Sequence, residues 1–178
     1  GSHDPKEATA RAFELLQRAF GKNASGEYNW KLRVDQVDFI LQAMRAARGE
    51  ANGEINKAFV IQPVAGGKTE ISAAIGTVLA ELGHKVVYTT SDAANAGKML
   101  ENATAKKYGR FKAPELDARG EPVIKALKAG EVLVLTEQQA KSYELHRKQT
   151  LRERGKEGME DFLADAYHIA DEVHQLLN

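Results

Sequence analysis

The residues whose types and spacing are best suited to chemistry are Gln62-Pro63-Val64-Ala65-Gly66-Gly67-Lys68-Thr69. They follow a short apolar run, Ala58-Phe59-Val60-Ile61, of the kind that forms a strand buried on both faces, and they lead into a helical pattern over 68–82. A loop in that position binds phosphate. Gly66 and Gly67 have no side chain to keep backbone N–H groups away from phosphate oxygens. A helix opening at Lys68 aims the positive end of its dipole at the anion. Lys68 would set its ammonium against the outer phosphates, and the Thr69 hydroxyl would coordinate a bridging Mg²⁺. The competing reading of Gly-Gly-Lys-Thr is a plain turn with a surface lysine.

A second constellation lies about 100 residues downstream. Tyr167-His168-Ile169-Ala170-Asp171-Glu172-Val173-His174 puts two carboxylates at the end of an apolar strand pattern. In a parallel sheet the carboxyl ends of the strands are where ligands bind. Asp171 is assigned to the metal, held through water because Mg²⁺ keeps much of its hydration shell. Glu172 is assigned to the attacking water, which it would orient or deprotonate. Taken alone, such a pair is ordinary solvated turn chemistry. His174 suits either a link from nucleotide state to a neighbouring element or a place in the turn, while His84, His146 and His168 have no mutual metal-ligand spacing.

The elements that must hold these groups follow from periodicity. Residues 4–20 read as a helix, with Phe13, Leu16 and Phe20 at helical spacing and Ala8 and Ala12 nearby. A Gly/Asn/Ser-rich break at 21–26 precedes a second helix at 34–48, with Val37, Ile40, Leu41, Met44 and Ala47 on one face. The period then changes. Strands at 58–61, 85–89, 132–135 and 167–170 alternate with helices at 68–82, 92–108 and 137–154. Gly83 is placed to cap the first of these helices, and Ser91 or Asp92 to start the second. Residues 109–122 read as a loop, 123–128 as a short helix, and Phe162-Leu163 as part of another. This alternation predicts an α/β fold with a parallel sheet, right-handed crossovers and helices on both faces.

Composition sets the bounds. The 178 residues fit one domain with a sizeable core, and 43% hydrophobic with 28% charged residues is a globular profile. There is no cysteine, which removes disulfides, thiolate zinc sites and cysteine nucleophiles and is compatible with a cytoplasmic protein. Equal numbers of basic and acidic residues, 25 each, lower the expectation of a generic nucleic-acid binder. The loosely basic stretch of Lys98, Lys106, Lys107, Arg110 and Lys112 is more simply a solvated face than a phosphate-contacting one. No apolar run approaches the ~18 residues of a membrane span. Gly1-Ser2-His3 reads as the remnant of a purification tag, residues 4–30 as an N-terminal helical segment, and 31–178 as the nucleotide-binding domain.

The succession Leu32-Arg33-Val34-Asp35-Gln36, then 62–69, then Val86-Val87-Tyr88-Thr89-Thr90-Ser91-Asp92, then Asp171-Glu172-Val173-His174 resembles the first motor domain of superfamily 2 ATPases. Within these it is similar to the SecA-type preprotein translocation motor and to DExH-box helicases. Gln62 stands where the general phosphate-loop pattern has its first glycine, as is common in that superfamily, and Ala65 replaces the usual threonine. The resemblance implies a RecA-like fold and ATP with Mg²⁺ as ligands. Gln36 would contact adenine, and Ala65, Gly66, Gly67, Lys68 and Thr69 would cradle the phosphates. Val87 to Asp92 would be motif Ia, and Leu135-Thr136-Glu137 falls at motif Ib.

It also implies a larger parent chain, whose second RecA-like domain supplies arginines to the γ-phosphate and whose cycle moves a polypeptide or a nucleic acid. Such an arginine contributes about 10³–10⁵ in rate, so this stretch alone is expected to bind nucleotide weakly and turn it over poorly. Two other readings remain beside it. One is a P-loop kinase-like phosphotransferase with Arg147, Arg152 and Arg154 in a lid; the other is a non-catalytic nucleotide-binding scaffold.

Overall fold

A computed structural model describes residues 5–29, 34–47, 58–61, 68–123, 127–154 and 166–171. Helices α1 (Pro5–Phe20) and α2 (Val34–Ala47) precede strand β1 (Ala58–Ile61) and helix α3 (Lys68–Glu81). Then come β2 (Lys85–Thr90), α4 (Ala93–Leu100), α5 (Ala103–Tyr108), β3 (Phe111–Lys112), β4 (Val132–Thr136), α6 (Glu137–Arg154) and β5 (Ala166–Asp171). The expected α/β architecture is present. The five strands form one sheet in the order β1-β5-β2-β4-β3, and every neighbouring pair is parallel. The helix expected through Phe162-Leu163 lies outside the described residues, as do residues 124–126 of the short helix expected at 123–128.

Strand side chains alternate between two faces, and the two faces carry different loads. Val86, Tyr88, Val132, Val134, Tyr167 and Ile169 enter the large core shared with α1, α2, α3 and α5. Val87, Leu133, Leu135 and Ala166 meet a smaller cluster built with Leu127 and with Ala140 and Tyr143 of α6. Among the described side chains of α6, these in its first two turns do the apolar work, while Leu145, two residues after Tyr143, is exposed. Burial raises the Tyr143 and Tyr167 phenols above the ordinary tyrosine value.

Helix α3 is buried on every side from residue 71 to residue 80. The sheet covers one flank, while α1, α2 and α5 cover the others. At its centre Gly76 allows close approach to the sheet edge. A Cβ there would stand 2.8 Å from the tip of the Phe111 ring and 3.5 Å from Val132 Cγ2. Helix α1 closes over α3 with Ala8, Ala12, Leu15 and Leu16, all at most 1% exposed. The Phe13 and Phe20 rings of the expected face are only partly buried against that core. The end of α3 is tied to α1 by Arg11, whose Nε and Nη2 donate to the two Glu81 carboxylate oxygens at 3.3 and 3.2 Å. The same guanidinium lies 4.9 Å over the Tyr108 ring, and the Glu81 hydrogen bond holds its proton more firmly than in a free arginine.

Two local outcomes differ from the sequence expectation. The single helix over 92–108 is two helices. Asp92 caps α4 by accepting from the Asn95 N–H, and Asn102 caps α5 by accepting from Thr104 and Ala105 N–H. The loop over 109–122 contains β3, which starts after Gly109 ends α5 in the left-handed conformation. That loop also holds a turn that occurs twice. Asn23 Oδ1 accepts from the N–H groups of Ser25 and Glu27, and Asp117 Oδ1 accepts from those of Arg119 and Glu121. Both turns carry a glycine at φ near +80°, Gly26 and Gly120, and each is closed by an isolated antiparallel bridge, Lys22 to Tyr28 and Leu116 to Pro122.

The tight seat of Gly76 makes a checkable claim. Gly76→Val puts branched carbons into the space of the Phe111 ring and should cost about 2–3 kcal/mol by overpacking. Urea unfolding followed by circular dichroism would measure it. Unchanged stability would mean that α3 does not approach β3 as closely as described.

Candidate functional site

The strand register brings four residues into one row at the carboxyl edge of the sheet. Ile61 pairs with Asp171, Asp171 with Thr90, and Thr90 with Thr136. Ile61 is the last residue of β1, so the end of that strand lies directly beside Asp171. The strand that precedes the first constellation and the strand that ends in Asp171 are thus hydrogen-bonded neighbours, at the edge where parallel sheets bind ligands. By alternation Asp171 and Thr90 point to the face that carries α3, as Ile169 and Tyr88 do.

Helix α3 begins at Lys68 and Thr69, as the sequence requires, and Thr69 is half-buried in its first turn. The next residue fastens that turn. Asn102 Nδ2 donates to Glu70 Oε2 at 3.0 Å, while Asn102 Oδ1 caps α5. One asparagine therefore locks the start of α3 to the α4–α5 junction. Sequence reasoning did not single out Glu70 or Asn102. The signal for Asn102 was its capping residue type before a helical pattern; its second bond, to a residue 32 positions away, has no sequence signature.

Asp171 is 5% exposed at the end of β5. Its Oδ2 accepts a 2.6 Å hydrogen bond from the Tyr88 hydroxyl, a residue 83 positions earlier and 1% exposed. That length lies in the range of O–H donors to carboxylate oxygens. Beside it, Thr90 is fully buried, and its Oγ1 has no hydrogen-bond partner among the described residues. At the next position along the row, Thr136 Oγ1 accepts from Gln139 N–H while Gln139 Oε1 accepts from Thr136 N–H, a reciprocal cap that starts α6. Further out along this edge, Ser91, Asp92, Glu121, Thr136, Gln138 and Gln139 line a polar hollow.

The remaining sequence candidates are distributed unevenly. Gln36 is half-buried in the first turn of α2, which packs against α3. Ala65, Gly66, Gly67 and Glu172 lie outside the described residues, as do Gln62, Leu32, Arg33, Val173 and His174; for Lys68 the helical backbone is described. Two bases of the stretch after β2 have structural employment. Arg110 donates to the Gly130 carbonyl at 3.0 Å, and Lys106 pairs with Glu101 at 3.1 Å. His84 stacks edge-on against Tyr167 at 4.7 Å between centroids.

Among the described residues no group of three or more His, Asp or Glu could hold a metal ion by itself. The described donors at the edge, the Thr69 hydroxyl and the Asp171 carboxylate, are hard oxygen ligands of the class Mg²⁺ takes. Magnesium is commonly held by one or two protein oxygens together with substrate phosphates and water, so this sparse donor set fits it.

Thr90 offers a test of how the row is packed. Thr90→Val keeps the branched shape and removes a buried hydroxyl that has no partner among the described residues. It should stabilise the fold by about 1 kcal/mol or more, read from the urea midpoint. Destabilisation would show that the hydroxyl is bonded.

No protein-family model, no curated protein and no solved structure matches this chain significantly.

Proposed function

We propose that the chain is the nucleotide-binding domain of an ATP-driven motor, similar to the first RecA-like domain of SecA-type and DExH-box ATPases. The observation that supports this reading is the Ile61–Asp171 register, which puts the last residue of β1, the residue before the 62–69 stretch, beside Asp171 at the end of β5. A phosphate-binding loop and a metal-binding carboxylate need that adjacency, because both must reach one nucleotide.

Each residue then has a task that its chemistry suits. Backbone N–H groups of Ala65, Gly66 and Gly67 and the start of α3 bind phosphate oxygens. Lys68 neutralises the outer phosphates as a point charge. Thr69 and Asp171 are the residues that would hold the metal ion. Bound Mg²⁺ supplies charge neutralisation on the phosphate oxygens. Glu172 holds the attacking water and accepts its proton. Gln36 reads the adenine edge with its amide. A second RecA-like domain, with arginines directed at the γ-phosphate, completes the catalytic site in the parent protein. The polymer that such a motor moves is a polypeptide or a nucleic acid. The compartment is the cytoplasm; among the described residues no helix is long and apolar enough to cross a membrane.

Calorimetric titration with Mg-ADP and Mg-ATP tests the reading. Lys68→Ala should weaken binding at least about tenfold, or about 1.4 kcal/mol. Absence of binding to the unaltered chain, or equal binding by both, would overturn the assignment. The base preference is tested separately. Gln36→Ala should bring the affinities for Mg-ADP and Mg-GDP closer together, and an unchanged ratio would remove Gln36 from the adenine contact.

A further inference from the structure

We infer that Tyr88 is a positioning residue for Asp171: its buried hydroxyl holds one carboxylate oxygen so that the carboxylate meets the metal of a bound nucleotide in a single orientation. This rests on the nucleotide reading above and adds to it a residue that the phosphate-loop and acidic motifs do not contain.

Three observations support it. The bond is short, 2.6 Å, and both partners are buried, Tyr88 at 1% and Asp171 at 5% exposure. A donor–acceptor pair withdrawn from water holds its geometry, because breaking it leaves both groups unsolvated. Next, the register fixes the direction of approach. Tyr88 pairs with Ile169 and Thr90 with Asp171, so the phenol starts two residues below the carboxylate on the adjacent strand. It reaches Asp171 along the strand direction, from inside the fold. Finally, the apolar packing of Tyr88 is that of its ring, not of its hydroxyl. Phenylalanine would fill the same space among Val86, Val134 and Ile169, so the hydroxyl is the part of Tyr88 that acts on Asp171.

A metal ligand held by an outer partner loses entropy before the metal arrives and presents a fixed lone pair. Removing such partners typically costs 10–100-fold in metal affinity. The effect of losing the Tyr88 hydroxyl should therefore fall on the metal-dependent part of nucleotide binding. A purely structural bond would instead show in folding stability and leave the metal dependence alone.

The experiment compares the affinity of the 178-residue chain for ADP with Mg²⁺ and for ADP with EDTA, in the unaltered protein, Tyr88→Phe, Asp171→Asn and the double variant. Thermal unfolding is recorded for each. The expected result is a Mg²⁺ preference in the unaltered chain that falls about tenfold in Tyr88→Phe, with metal-free ADP affinity unchanged. Asp171→Asn should abolish the preference, and adding Tyr88→Phe to it should change nothing more. Should Tyr88→Phe not fold, Tyr88→Leu also removes the hydroxyl and carries the same expectation. A Mg²⁺ preference equal to that of the unaltered chain overturns the role of Tyr88 and leaves the nucleotide site standing. If the unaltered chain binds no nucleotide, the reading of the site itself fails, and this inference fails with it.

Discussion

The burial of α3 on all sides is the constraint on which the rest of this fold depends. A largely apolar helix that is buried around its whole circumference cannot lie on a sheet with one side open to water. Residues 71–80 need cover opposite the sheet, and α1 and α2 supply it together with α5. The N-terminal helical segment is therefore part of the core rather than an appendage. Gly76 lets α3 sink towards β3, and Arg11 clamps its far end through Glu81. A helix held this firmly along its length is a rigid base for whatever its first turn presents.

That first turn stands at the carboxyl edge of the sheet, where the strand register has collected Asp171, Thr90 and Thr136. The edge is organised by polar bonds rather than packing. Asn102 reaches Glu70, Tyr88 reaches Asp171, and Thr136 exchanges bonds with Gln139. Each bond joins two different elements or starts a helix, so the edge resists independent movement of its parts. Among the described residues, the opposite face of the sheet has a smaller core and a polar helix.

Much of this was legible in the sequence. The change from helical spacing to short apolar runs located β1, β2, β4 and β5 to within a residue or so, because strands buried on both faces need continuous apolar runs. The Gly-Gly-Lys-Thr and Asp-Glu groups could be placed after strands for the same reason. β3 was not legible, since Phe111-Lys112 is too short to have a period and sits between Gly109 and two prolines. The α4–α5 break was hidden because apolar spacing runs on through Met99, Leu100 and Ala105, and only the capping chemistry of Asn102 interrupts it. Tyr88 was invisible as a site residue for a deeper reason. Its role comes from register with a strand 80 residues later, and register is a property of the assembled sheet.

The paired turns at 23–27 and 117–121 have nearly the same backbone bonds but different chemistry at the accepting side chain. Asn23 has no proton to gain near neutral or acid pH, whereas Asp117 has. The N–H groups of Glu121 and Arg119 hold the Asp117 carboxyl below the ordinary aspartate value. A depressed value in the folded state means that this support is complete above the unfolded pKa and is lost as pH falls through the folded one. Acid should therefore loosen the second turn while the first keeps its bonds. The loosening would reach α6, because Glu121 is also the acceptor for the Ser142 hydroxyl. One fold thus contains an acid-sensitive loop and its insensitive twin, an internal control for what a single ionisable oxygen contributes to a turn.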